Sequence, residues 1–219
     1  MFVGHYGVSF AAKRSSPAIP LWTLFLAVQL LDIVWAPLVL LGVEKVRIVP
    51  GAPPTTALDF YYMPYTHGLT GALALSVIAA LAYLTLKPNA TTRASLIIGL
   101  AVLSHWILDF IVHVHDLPLI GNSMKVGLGL WNAPAISLAL ESLVLFGGMW
   151  YYLRGRMRQS IGTIVFCVFL FVVQAFSTFS PPPNSMTGIA ISAIIGYLLF
   201  AAVIWWLEDR RPAPLSARS

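Results

Sequence analysis

In residues 104–116, SHWILDFIVHVHD, His105, Asp109 and His113 recur at intervals of four. A helix places residues so spaced on one face, each a turn above the last. Two imidazoles and a carboxylate stacked in this way can bind a transition metal such as zinc, as i, i+4 histidine pairs do in helical zinc sites. The stretch closes an apolar run that begins near Ala94, so it reads as the outer half of a membrane-spanning helix. An ionisable group in hydrocarbon costs at least about 2.5 kcal/mol, so several together require a compensating partner. Either a metal supplies it, or the groups satisfy one another as a buried polar ladder.

Other residues could join them. Asp32, Asp109 and Glu141 are three of the chain's eight acidic residues, and all three fall within apolar segments. Asp32 has Gln29 as an alternative polar partner, and Glu141 could bond within the bundle. His67, in MPYTHG, follows a proline turn at a helix start, where it serves either as a ligand or as an interfacial cap. His5 lies in the short N-terminal segment MFVGHYGVSFAA. His115 is out of phase with the 105/109/113 face, and Asp116, before LPL, reads as a turn carboxylate.

The elements that must position these residues follow from composition. The chain has 219 residues, 58% hydrophobic and 10% charged, against about 25% charged in ordinary soluble domains. This implies an all-α integral membrane bundle forming a single domain over 1–219. About six spans are expected, near 20–43, 68–86, 94–114, 133–153, 161–179 and 187–207, with Pro37 as a kink in the first. Residues 1–12 are too short to cross and are expected to re-enter the bilayer as a half-helix. The single cysteine, Cys167, sits in an apolar run and reads as a small core residue. Ten basic residues fall on one side, Lys13, Arg14, Lys87, Arg93, Arg154, Arg156, Arg158, Arg210, Arg211 and Arg218. Lys45, Arg47 and Lys125 fall on the other. The positive-inside rule then places both termini in the cytoplasm. A basic excess scattered through short loops does not suggest a nucleic-acid partner. At 1.5 Å per residue, Asp32 and His105 each lie ~18 Å from the cytoplasmic ends of their spans and Glu141 ~20 Å, so the candidates converge.

The segments GHYGVSFAAKR, PYTHG, SHWILD, HVHDLP and KVGLGLWN, with Asp32 on the first span, resemble a bacterial family described as inner-membrane-associated metal-dependent hydrolases. That family is in turn similar to the zinc-dependent phospholipase C and single-strand nuclease superfamily. The resemblance covers about residues 1–153, the expected core of the site, and leaves 154–219 as two further spans and a cytoplasmic tail. In the superfamily an early His, an Asp, a His and a later His-x-x-x-Asp build the metal cluster. His5, Asp32, His67, His105 and Asp109 stand here in that order. The superfamily's third zinc uses a His-x-x-x-Glu pair that this chain lacks, so the resemblance implies one or two divalent ions, zinc foremost.

On this reading His5, Asp32, His67, His105 and Asp109 are metal ligands, with Asp32 and Asp109 the catalytic carboxylates and Asp32 an alternative general base. His113 and Glu141 are outer ligands or groups that hold imidazoles in orientation. The expected function is hydrolysis of a phosphate ester, on a membrane lipid or lipid-linked substrate, in the bacterial inner membrane. Two other readings use the same residues: a proton- or metal-ion-coupled transporter, and a silent scaffold whose polar cluster fixes helix packing.

Overall fold

A computed structural model describes residues 1–49, 51–154, 161–181 and 184–209. The N-terminal segment is helical, α1 (Gly4–Ser15), and its Gly4, His5, Tyr6, Gly7, Ser9 and Phe10 are all buried. It is a short re-entrant element packed inside the bundle. Lys13 and Arg14 close its last turn, where positive charge complements the helix dipole, and Lys13 Nζ donates to the carbonyls of Pro17 and Ile19 at 2.9 and 2.7 Å. The other end of α1 has no side-chain cap of its own. Glu141, reaching across from a neighbouring helix, accepts from the backbone N–H groups of Phe2 and Gly4 at 2.8 and 3.3 Å.

The first span is two helices, α2 (Leu21–Val28) and α3 (Leu30–Leu40), bent by 50°. The break falls at Gln29, not at Pro37, which α3 accommodates within its length. Gln29 leaves helical geometry at φ −104°, ψ 7°, and its side-chain amide donates to the Phe2 carbonyl at 3.1 Å. Ending α2 at Val28 leaves that residue's carbonyl among the terminal acceptors without an intrahelical donor. Another helix uses it, as described below.

The loop after α3 contains an antiparallel hairpin, β1 (Lys45–Ile48) and β2 (Leu58–Tyr62). Lys45 pairs with Tyr62 and Ile48 with Leu58, with an irregularity between Lys45 and Arg47. Then come α4 (Leu69–Leu86) and α5 (Thr92–Val112), the latter capped by the Thr91 hydroxyl accepting from Ala94 N–H at 3.2 Å. The helix stops at Val112, so His113 stands just beyond it in an extended conformation, φ −60°, ψ 145°. Backbone from the following loop closes over this end: Leu128 N–H donates to the Phe110 carbonyl and Gly129 N–H to the His113 carbonyl, at 2.8 and 2.7 Å. Helices α6 (Pro134–Leu153), α7 (Ile161–Phe179) and α8 (Met186–Ile204) complete the bundle.

Five of these helices are long and apolar enough to cross a membrane, and the bent α2–α3 pair makes a sixth. Exposed Leu, Ile, Val and Phe side chains along α4, α5, α7 and α8 form the outward surface. The main core gathers α1, α2, α5, α6 and α8 around Phe10, Phe25, Val102, Leu145 and Phe200. A second cluster, including Trp35, Phe60, Met63 and Leu117, lies beneath the hairpin. The polar centre sits between the two.

Candidate metal centre

Asp109 is the hub. Its Oδ2 faces three imidazole nitrogens: His105 Nε2 at 3.2 Å, His67 Nε2 at 3.7 Å and His113 Nε2 at 3.7 Å. Its Oδ1 faces His5 Nε2 at 3.3 Å and receives the Met1 amino group. Asp32 Oδ1 lies 3.2 Å from His67 Nε2 and 3.7 Å from His105 Nε2. The second Asp32 oxygen accepts from the Tyr197 hydroxyl at 2.6 Å. Five segments of the chain thus converge, and His5, His67, His105, Asp109 and His113 are all buried.

The imidazole tautomers carry the chemical information. His105 Nδ1 is 2.7 Å from the Val28 carbonyl, a group that only accepts. The Nδ1 therefore bears the proton, and in the neutral ring Nε2 presents a lone pair. The bend at Gln29 that frees the Val28 carbonyl is what sets this orientation. His67 is fixed by a relay. The buried Glu44 accepts from Tyr65 and Thr66 N–H at 2.9 and 3.0 Å, and from the Thr66 hydroxyl at 2.6 Å. With its one proton given to Glu44, the Thr66 oxygen accepts from His67 Nδ1–H at 2.8 Å. The His67 carbonyl is held in turn by the Trp106 indole N–H at 2.8 Å. His113 Nδ1 donates to Asp116 Oδ1 at 2.8 Å, and its ring packs on Trp131 with centroids 4.0 Å apart.

Three rings thus point Nε2 lone pairs at carboxylate oxygens. Acceptor faces acceptor, and His105 Nε2 is buried without a hydrogen-bond partner. A cation between the rings and the carboxylates, a proton or a metal ion, resolves the conflict. Outer hydrogen bonds that hold Nδ1 and free Nε2 are the usual setting of histidine metal ligands. Two triads, His5–His105–Asp109 and Asp32–His67–His105, each offer ligand atoms within 4.8 Å of one another. These buried groups could hold a metal ion.

His5 is placed differently from the other rings. It stacks on His105 with centroids 3.9 Å apart and planes 6° from parallel. Its Nε2 donates to the Met1 carbonyl at 2.9 Å, which leaves Nδ1 buried and unpartnered. His113 approaches Asp109 but belongs to neither triad, since the end of α5 carries it off the His105–Asp109 face. Glu141 binds α1 and the Gln174 amide, at 3.2 Å, and also belongs to neither. It acts on the centre by anchoring the helix that carries His5. Gln29 is not the partner of Asp32.

Sequence reasoning missed Glu44, Tyr197 and Gln174, and read Asp116 only as a turn carboxylate. Asp116 stands three residues from His113, a spacing a turn can close. Glu44 and Tyr197 carry no local signal. They reach the centre from the loop after α3 and from the last helix, outside the part of the chain that carries the motifs. A cavity of about 270 Å³ opens beside Asp32, His67, Asp109 and His113, bounded by Trp35, Phe60 and Trp131. No family model, curated protein or solved structure matches this chain.

Proposed function

We propose that this protein is a membrane-embedded, metal-dependent hydrolase of phosphate esters carried on lipids or lipid-linked substrates. The observation that carries the reading is the set of three Nδ1-anchored imidazoles aimed at the buried Asp109 and the half-buried Asp32 beside a cavity. The order of His5, Asp32, His67, His105 and Asp109 along the chain, as in the phospholipase C and nuclease superfamily, supports it. Zinc is the ion that suits a nitrogen-rich site with carboxylate oxygens. Either triad could take one, but His105 has a single lone pair at Nε2 and can ligate an ion in only one triad at a time, so a second ion would be held by the remaining groups.

When bound, such an ion supplies Lewis acidity, acidifying water and polarising a phosphoryl oxygen. The chain's own groups do the rest. Val28, Thr66 and Asp116 keep His105, His67 and His113 as lone-pair donors at Nε2. Tyr197 ties back one oxygen of Asp32 and directs the other toward the histidines. Asp32 is the carboxylate at the cavity edge, where it can take the proton of an attacking water. In hydrolysis the water oxygen bonds to phosphorus, the ester P–O bond breaks, and the leaving alcohol gains the proton. The apolar walls, Trp35, Phe60 and Trp131, limit bulk water in the cavity, which strengthens these electrostatic terms.

The basic asymmetry of the loops favours the hairpin outside and both termini in the cytoplasm, and the family resemblance favours the bacterial inner membrane. The C-terminal tail lies outside the described residues. The test is turnover in detergent: purified protein loaded with zinc should release product from a lipid phosphodiester, and Asp32→Asn should lower kcat at least 100-fold. Equal turnover by wild type and Asp32→Asn would contradict the role assigned to Asp32, and no turnover of any phosphate ester would contradict the function.

A further inference from the structure

The cavity has two ends. One is the metal centre. The other is formed by Gln174, Ser177 and Thr178 of α7 and by Ile189 and Ala193 of α8. Ser177 lines the cavity and is also exposed, so the cavity reaches the protein surface there. The neighbouring Val172, Phe176 and Phe179 are exposed large apolar groups on a helix apolar enough to span a membrane. Ser177 lies two residues before the end of α7, ~3 Å along the axis, which sets the opening near the lipid headgroup level on the hairpin side.

The two helices meet at the end away from the hairpin and line the cavity together at the other. Away from the hairpin, Phe166 and Phe169 meet Phe200 at centroid distances of 6.0 and 6.3 Å. The Tyr152 and Thr163 hydroxyls converge on Glu208 at the same end. Helix α7 packs on α6 and on the Pro54–Thr56 turn, and α8 packs on α2, α3 and the β1 strand of the hairpin. Above the cavity the roof is tied down: the Thr55 hydroxyl donates to the Trp131 carbonyl at 2.8 Å, and Phe60 stacks on Trp131 at 6.3 Å.

The α7 wall is polar where the helix is otherwise apolar. Gln174, Ser177 and Thr178 stand at i, i+3 and i+4 and so share a face. The Gln174 amide nitrogen is bound by Glu141 and by the Thr178 oxygen, both at 3.2 Å. The Thr178 proton goes to the Gln174 carbonyl at 2.8 Å. That fixes the amide orientation and leaves Gln174 Oε1 a buried acceptor with no partner. A hydroxyl from a bound molecule would satisfy it. The cavity, about 270 Å³, is at the small end of ligand sites, which start near ~300 Å³, a size that suits a headgroup.

We propose that the substrate is a phospholipid with a hydroxyl-bearing headgroup, entering sideways from the hairpin-side leaflet through the gap between α7 and α8 at Ser177. Its phosphate reaches the His/Asp centre, a headgroup hydroxyl donates to Gln174 Oε1, and its chains stay in the bilayer. The route rests on the hydrolase reading for its chemistry, though not for its geometry.

The experiment uses full-length protein in nanodiscs containing phosphatidylglycerol with a photoactivatable diazirine in the acyl chain. Adducts mapped by mass spectrometry should concentrate on 172–179 and 186–193, at least five-fold above the exposed face of α4 at Leu73 and Val77. Coupling a bulky maleimide to the S177C variant should abolish that excess. Equal labelling of α4 and α7/α8, or labelling indifferent to the block, would overturn the entrance. Turnover separates the two claims. Unblocked wild-type protein should cleave the water-soluble bis(p-nitrophenyl) phosphate as well as the lipid, and the blocked variant should lose lipid cleavage at least ten-fold. Undiminished lipid cleavage after the block overturns the entrance and leaves the hydrolase intact. Lipid capture with no cleavage of either compound overturns the hydrolase and supports the entrance.

Discussion

An imidazole placed beside a carboxylate ordinarily donates to it. Here the ring N–H groups of His67, His105 and His113 are already committed to Thr66, Val28 and Asp116. Removing an outer partner should therefore loosen a ring without touching the ligand atom. Groups of this kind typically contribute 10–100-fold to metal affinity or activity. Thr66→Val deletes the acceptor for His67 and should weaken zinc binding within that range, while the size-exclusion profile stays that of wild type. Asp116→Asn, acting on His113 alone, should have the smaller effect. Zinc titration with a competing chelator measures both, and wild-type affinity in Thr66→Val would show that His67 is no ligand. The His105–Asp109 pair was legible because a helix turns four residues into one contact. Glu44 was not, being 22 residues from Thr66 in sequence and joined to it only by the fold of the outer loop.

Among the elements, α1 is the one whose position most depends on close packing. A Cβ on Gly7 would lie 2.0 Å from the Val144 carbonyl oxygen, and one on Gly148 would lie 2.0 Å from that of Gly7. Helices α1 and α6 therefore meet backbone to backbone, as small residues permit in membrane bundles. Because the obstacle is main chain, a rotamer change cannot relieve it. Overpacking of a tight interface costs about 1–3 kcal/mol or more, so Gly7→Ala should lower the thermal midpoint in detergent and reduce bound metal by displacing His5. Gly147→Ala is the control, since nothing lies within 4 Å of its Cβ. Equal midpoints for the two variants would contradict this packing. The short re-entrant helix was legible from its length and apolar composition. The bend was not: proline at 37 is the obvious breaker, yet the chain yields at Gln29, where a side-chain bond to Phe2 and the use of the Val28 carbonyl by His105 compensate the lost helical bonds.

At the scale of the molecule, the hairpin, the loop after α5 and the opening beside Ser177 all lie toward one face of the bundle, and the ends flanked by most basic residues lie toward the other. Cysteines at Gly51 and Ser123 should label with a membrane-impermeant reagent on intact cells, and one at Ala90 should not; the reverse pattern would invert the proposed orientation. Apolar periodicity announced the spans, but α7 and α8 looked chemically silent because they carry no Asp, Glu, His, Lys or Arg between 161 and 204. Their contribution is made by neutral polar groups, Gln174 and Tyr197, which composition does not flag in a long apolar run. The central claim concerns what stands between the lone pairs and the carboxylates. Metal per protein, by elemental analysis of protein purified without chelator and then titrated with zinc or manganese, addresses it directly. We predict one or two equivalents in wild type and loss of metal in His105→Ala, with Asp109→Asn weakened and both variants still eluting as folded bundles. Wild-type protein that holds no metal and gains none on titration would contradict the account, and the cluster would then be held together by protons alone.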